Sequence, residues 1–395
     1  MNNIGLYVHI PFCETKCPYC DFNTYAKIES LIPEYVAAVN TEIGIWGRLL
    51  DEPKLSTVFF GGGTPSYLPT HYMASIIETV HESFDLSADA ELTLEANPGD
   101  LTDVNLMKYL DVGLNRLSIG VQSLDDRLLK LLGRRHSASE AIQAIRMATE
   151  AGFDNVSIDL MYGLPQQNLN DWSRTLGSVR EINIQHISMY CLTLEGATPM
   201  EQQVASGQLP EPDPDLAADM YLMAENIMDS RGFGHYEISN WALPGMESRH
   251  NLRYWKNQPY LGVGPGAHSY LFSERFHNIR SPREYVKLLS EQSPESIHQD
   301  DLSTVKIDLI PTVEMSETID QRLELAETMM LGLRLNSGVT IEDITRRFGI
   351  TPASVYGNTL TELESLGLVD TTGGAIKLTS RGRLLGNEVF TRFLH

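Results

Sequence analysis

The first half of the chain alternates short apolar runs with longer amphipathic ones. The apolar runs read "IGLYVHI" (4–10), "STVFFGG" (56–62), "ELTLEA" (91–96), "NRLSIGV" (115–121), "NVSIDLM" (155–161) and "QHISMYCL" (185–192). Each is rich in β-branched or aromatic residues and apolar along most of its length, the pattern of a mostly buried strand. Helical patterns lie between them. In "SASEAIQAIRMATEAGF" (137–153), apolar residues fall at Ala141, Ile142, Ile145 and Ala148. Ser137 with Glu140 three positions on predicts a capping box, and Gly152 predicts the stop. Strand and helix repeating in this way predict parallel pairing through right-handed crossovers. The chemically suggestive residues follow or end these strands: Cys13, Gly61 to Thr64, Glu95, Gln122 and Asp159. Parallel barrels gather their sites at that rim. An open sheet gathers them at one switch point, which successive strands do not all reach. The expected fold is therefore α/β, a partial (β/α)6 barrel.

From about residue 195 the pattern loosens. A Pro-rich loop and a helix near 216–231 precede the aromatic-rich stretch 234–270. Residues 291–320 are acidic and irregular, the look of a linker or flap. Residues 322–395 read as three helices and two short strands around Gly373 and Gly374, a winged-helix-like α+β domain. The expected division is a barrel over 1–235, a covering extension over 236–321 and the winged-helix-like domain over 322–395.

Charge narrows the class of protein. The net charge is −22, and residues 322–395 carry eight basic and eight acidic residues. A winged helix that reads DNA is distinctly basic, so this one is expected to cover the barrel and to bind no nucleic acid. The amino-terminal residues have no basic region followed by an apolar run, and no stretch approaches a membrane span. With four cysteines lacking paired spacing, the expected setting is the cytoplasm.

Three of those cysteines, Cys13, Cys17 and Cys20, lie within "HIPFCETKCPYCDF" (9–22). Such spacing lets one loop wrap three thiolates around a single centre. A structural zinc ion needs a fourth ligand, which His9, Asp21 or Cys191 could supply with no spacing rule to choose among them. A [4Fe–4S] cluster usually takes four cysteines, so three leave one iron open to a substrate or cofactor. The C-x3-C-x2-C pattern after a first strand resembles the radical S-adenosylmethionine (SAM) family. That resemblance implies a [4Fe–4S] cluster on Cys13, Cys17 and Cys20, with SAM chelated at the open iron.

The rest of a SAM site has candidates on the same rim. Glycines in "GGGTP" (61–65) allow close backbone approach to a ligand. Glu95 suits an ammonium or hydroxyl partner, and Gln122 suits ribose hydroxyls. Arg134 can fork onto a carboxylate, with Arg135 as its solvated neighbour. Asp159 sits in an apolar strand, where an unpaired charge is costly. Taken together, "YVHIPFC", "GGGTPS", "EANP", "GVQS", "GRRH" and "DLMYGLP" resemble one subfamily along nearly the whole chain. It holds oxygen-independent coproporphyrinogen III dehydrogenases and HemW-type heme chaperones. Matched residue by residue, the resemblance implies SAM contacts at Tyr7, Tyr19, Gly62, Gly63, Thr64, Glu95, Gln122, Arg134 and Asp159.

Two departures separate those relatives. The dehydrogenases carry a further cysteine two residues past the third, where this chain has Phe22. They also have a longer N-terminal arm, whereas twelve residues precede Cys13 here. Both features match the HemW type, as does "RHNLRYW" (249–255), which fits the HNxxYW pattern associated with it. The expected activity is heme binding and transfer to an unidentified acceptor protein, with coproporphyrinogen III oxidation or another radical SAM oxidation as the alternative. An electron donor is needed only if SAM is cleaved, and a membrane is met only peripherally, through the acceptor. His250 is the expected heme ligand, since neutral imidazole binds heme iron. Tyr254 and Trp255 are expected to pack on the porphyrin. His9, His235 and His268 are weaker candidates, and Cys191 reads as a buried strand residue.

Overall fold

A computed structural model describes residues 3–294, 307 and 310–394. Six of its strands coincide with the apolar runs: β1 (Ile4–Ile10), β2 (Lys54–Gly62), β3 (Asp85–Ala96), β4 (Arg116–Gln122), β5 (Val156–Tyr162) and β6 (His186–Cys191). They pair in parallel and in chain order, each with the next. Strict chain order means that the sheet winds in one sense, with no switch point, as a partial barrel does. The first crossover helix, Ile32–Leu49, packs against the second, Thr70–Ser83. The helix Ala138–Ala151 has the expected capping box of Ser137 and Glu140, and Gly152 closes it with φ 113°.

The strands are less uniform than their composition suggests. Ile4, Leu6, Val8 and Ile10 of β1, Leu92 and Leu94 of β3, and Ile158 and Leu160 of β5 all join the main core. The intervening positions carry Tyr7, Glu95, Ser118 and Asp159, which line cavities instead. A period of two is thus hidden in runs that read as mostly apolar, because polar side chains interrupt them where the barrel interior opens.

The sheet does not stop at six strands. β7 (Gly234–Glu237) and β8 (Asn240–Ala242) extend it antiparallel beyond β6. On the other side, β9 (Tyr260–Val263) pairs parallel with β1. β10 (His268–Leu271), β11 (Glu274–Asn278) and β12 (Val313–Thr318) follow antiparallel. The complete order is β12-β11-β10-β9-β1-β2-β3-β4-β5-β6-β8-β7. The expected boundary at 235/236 therefore falls inside β7, and the covering extension is the two flanks of one sheet. Its strands lack the barrel pattern because they are short and, β9 apart, antiparallel. The expected linker at 291–320 lies partly outside the described residues; within it, Val313–Thr318 is a strand.

A second core of Leu325, Met329, Ile344, Phe348, Leu360, Leu363 and their neighbours belongs to the C-terminal segment. Its sheet has three strands, β13 (Val339–Thr340), β14 (Val369–Asp370) and β15 (Ala375–Leu378), with β15 in the middle. Ion pairs fasten this unit to the barrel: Arg383 to Glu225 at 2.8 Å and Arg275 to Glu327 at 2.5 Å. Arg334 lies over the Trp255 ring at 4.5 Å.

Candidate functional site

The loop after β1 is anchored at both ends before it reaches the thiols. Phe12–Cys13 pairs in parallel with Tyr25–Ala26. Gly63 N–H donates to the Ile10 carbonyl at 2.7 Å, and Thr64 N–H to the Phe12 carbonyl at 2.8 Å. A side chain on Gly63 would meet the Phe12 carbonyl at 2.7 Å, and one on Gly62, at φ +112°, would meet the His9 ring at 2.5 Å. The glycines are thus demanded first by close packing of β2 against the cysteine loop.

Cys13, Cys17 and Cys20 line one cavity of about 490 Å³, together with Tyr19, Gly62, Gly63, Thr64, Glu95, Gln122, Arg134 and Asp159. All three cysteines are free thiols. The Cys13 thiol lies 3.4 Å from the Thr64 hydroxyl, and Arg134 Nη1 donates to Cys17 Sγ at 3.6 Å. Burial pushes the Cys13 and Cys20 thiols up, against the lowering pull of Thr64 on the first and of the Phe22 backbone on the second. Burial works against the Arg134 charge, but Tyr19 and Cys17 beside it raise its pKa above the ordinary value. Arg134 Nη2 also donates to the Gly120 carbonyl at 2.6 Å. Among the described residues its Nε is buried without a hydrogen-bond partner.

Opposite the thiols stand two carboxylates. Gly62 N–H donates to Glu95 Oε2 at 3.1 Å, and the Ser118 hydroxyl donates to Asp159 at 3.2 Å. Burial, and then the Asp159 charge, push Glu95 up to about 8. Burial likewise raises Asp159, while Ser188 and Ser118 oppose the rise. Two half-buried carboxylates, with Gly62 N–H on one and only serine hydroxyls on the other, favour a cationic guest. Gln122 ends β4 at φ 65°, a left-handed backbone that a non-glycine residue holds only under constraint. Tyr7 lies on the far side of Glu95, in a second cavity of about 680 Å³ that shares Gly62 and Glu95 with the first.

Arg135 departs from its expected role. It pairs with Glu14 of the cysteine loop and with Asp100 at 3.0 Å, so it clamps the loop rather than pointing to solvent. Ser118, Arg116, Ser188 and Tyr190 also line the first cavity and were not singled out from sequence. The available signal was a polar residue at alternate positions of β4 and β6. Cys191, expected to be buried, is exposed at the end of β6 on the same cavity.

The HNxxYW stretch forms the helix Arg249–Trp255, capped by Ser248. His250 is 1% exposed and lines neither cavity. Its Nδ1 bonds the Thr57 hydroxyl at 2.8 Å and its Nε2 the Tyr254 hydroxyl at 2.8 Å. Its ring stacks on Phe59, and burial followed by Arg253 lowers its pKa to about 3. Both nitrogens are occupied, so the expected axial-ligand role does not fit this arrangement. Nor does Trp255 face a porphyrin site; it lies beneath Arg334. Tyr254 alone of the motif reaches the second cavity. The motif braces β2 and β3: Glu91 accepts from the Arg249 and His250 amides, and Arg253 bonds Ser56 and the Pro259 carbonyl.

Among the described residues no helix is long and apolar enough to cross a membrane. The Radical SAM superfamily pattern matches residues 7–179, and the HemN C-terminal domain pattern matches 319–385. A solved structure of coproporphyrinogen III oxidase (HemN) from Escherichia coli superimposes with a TM-score of 0.84 at 24% identity, covering 99% of this chain and 90% of that one. The likeness extends the shared fold through the C-terminal domain. The protein named heme chaperone HemW from Bacillus subtilis is 35% identical over 390 residues, 98% of each chain. That from Mycobacterium tuberculosis is 34% identical over 393 residues, 99% of this chain and 94% of its own. With a radical SAM barrel, a HemN-type C-terminal domain and end-to-end similarity of this order, the chain belongs to the HemW family of the radical SAM superfamily.

Proposed function

We propose that this protein is a heme chaperone: it binds heme, hands it to an acceptor protein in the cytoplasm, and carries a [4Fe–4S] cluster held by three cysteines with exchangeable SAM. The observation that carries this reading is similarity along 98% of the chain to a protein named heme chaperone HemW. Phe22, in the position where the oxidising relatives have a further cysteine, argues against coproporphyrinogen III oxidation.

Cys13, Cys17 and Cys20 would hold the cluster. Thiols set around a cavity suit such a cluster, and three of them leave one iron for SAM. Arg134 Nε, buried without a partner among the described residues, fits an anionic neighbour. When bound, the cluster supplies an electron that can cleave the SAM sulfonium. The protein's own task is to place SAM: Glu95 and Asp159 draw its cationic end, Gln122 meets the ribose and Arg134 the carboxylate. Gly62, Gly63 and Thr64 would form the floor under its methionine end and Tyr19 would flank it, while Tyr7 stands across Glu95 in the second cavity.

Anaerobic reconstitution with iron and sulfide, followed by titration with SAM and heme, tests this reading. The expected result is an electron-spin signal altered by SAM, a Soret band from bound heme, and passage of that heme to an apo-acceptor. Zinc in place of iron, or protoporphyrinogen made from coproporphyrinogen III, overturns it.

A further inference from the structure

The histidines near the barrel differ in what their rings already hold. His250 is bonded at both nitrogens. His9 meets the Tyr7 hydroxyl through Nδ1 and the Asn23 carbonyl through Nε2. His235 is stacked on Trp241 at 4.1 Å, with Glu225 on one nitrogen and the Ile238 carbonyl on the other. His268 is exposed at the start of β10, and among the described residues no hydrogen bond reaches its ring.

His268 opens onto the second cavity, whose walls include Tyr7, Tyr254, Tyr260, Phe22, His277 and Arg280, with the carboxylates of Asp21 and Glu95 among the rest. We propose that this cavity seats the porphyrin, that His268 gives its ring nitrogen to the iron, and that Arg280 pairs with a propionate. The proposal rests on the heme-binding reading above and names the seat and ligand that reading leaves open.

Four observations carry it. About 680 Å³ falls within the range of cavities that bury small ligands. Tyrosines and Phe22, which is 64% exposed at the mouth, supply flat apolar surface; aromatic rings pack well on a porphyrin face. His268 sits opposite His277 across the β10–β11 pair, with ring centroids 5.0 Å apart. His277 holds its Nδ1 3.3 Å from the Asn278 carbonyl and 3.8 Å from a Glu314 carboxylate oxygen, which leaves it one ring nitrogen on the same wall, whereas among the described residues both ring nitrogens of His268 are open. Among the described residues the Arg280 guanidinium has no hydrogen bond or ion pair; only the Arg280 carbonyl is used, by Asn23 and Tyr25. Since Gly62 and Glu95 line both cavities, a porphyrin here would lie against the SAM site, where binding at one is felt at the other.

The test is hemin titration of the full-length, cluster-reconstituted protein, read as Soret position and affinity. His268→Ala is expected to shift the band and to weaken binding by roughly tenfold or more, with added imidazole restoring the band. His268→Met, which offers a different ligand atom, is expected to move the band while retaining binding. Arg280→Gln is expected to weaken hemin binding without moving the band, and to leave binding of the hemin dimethyl ester unchanged. Unchanged iron–sulfide absorption certifies that each variant is folded. Wild type that binds hemin while His268→Ala matches it in band and affinity overturns this inference, and a loss confined to His250→Ala does the same. Wild type that binds no hemin overturns the heme-binding reading beneath it.

Discussion

Glu95 is held protonated well above the ordinary carboxylate range by burial and by Asp159. Its pKa in the folded state, about 8, exceeds the ordinary 4.5, so the folded protein binds a proton that the unfolded chain has released. The resulting stability is full below the unfolded value and is lost as pH rises through the folded one. Every tenfold gain in proton affinity on folding is worth roughly 1.4 kcal/mol. Denaturation of the ligand-free protein is expected to show stability falling as pH is raised through that window, and the Glu95→Gln variant is expected to be flatter. A cation bound beside Glu95 favours its ionised form, so SAM affinity of the wild type is expected to rise with pH across the same window. Equilibrium binding of SAM by wild type and Glu95→Gln checks this, and equal pH slopes would remove Glu95 from the site. At this same scale His250 is instructive: its side chain is a brace between Thr57 and Tyr254. Sequence shows which residue types share a motif, but not which of them spend their hydrogen bonds inward.

At the scale of elements, the glycine turn after β2 and the cysteine loop are one interlocked unit. Gly62→Ala combines a left-handed φ of +112° with a contact of 2.5 Å to the His9 ring. It is expected to destabilise the protein by about 1–3 kcal/mol and to lower iron retention after reconstitution, since displacing His9 disturbs the strand that carries the loop. Chemical denaturation and iron content measure the two effects. The helix Ala138–Ala151 offers a contrast. Ser137→Ala breaks its capping box and is expected to cost about 1 kcal/mol, leaving SAM and heme binding unchanged, because the cap is half-buried at most and lines neither cavity. Equal stability of wild type and variant would show the cap to be idle.

At the scale of the whole molecule, buried polar groups join parts that the sequence keeps far apart. Glu42, on the first helix, is fully buried. It accepts from Tyr285 at 2.5 Å, Asn278 at 2.7 Å, Gly264 N–H at 2.8 Å and Thr312 at 2.9 Å. That cluster pins the β9–β12 flank, and with it the wall of the second cavity, to the barrel. Glu42→Ala leaves four donors facing a void, and is expected to cost about 3–5 kcal/mol in denaturation and to weaken hemin binding more than SAM binding. Arg275→Gln leaves Glu327 unpaired at the seam with the C-terminal unit, and the expected effect is earlier proteolysis of that seam.

The order of strands, the capped helices and the three-thiol loop were legible from the chain because each depends on residues within a few positions of one another. Periodicity, capping and ligand spacing are local properties, and they survive without knowledge of the fold. The gathering of Glu95, Gln122, Arg134 and Asp159 around those thiols was anticipated only because consecutive parallel strands end at one rim. What tertiary structure decided were matters of side-chain commitment across long separations. It joined the flanks at 234–318 to the barrel sheet, sealed His250 between Thr57 and Tyr254, turned Arg135 into a clamp, and opened a second cavity onto His268. A histidine's freedom depends on what lies within about 3 Å of its ring, and in this chain those partners come from segments that no local pattern connects.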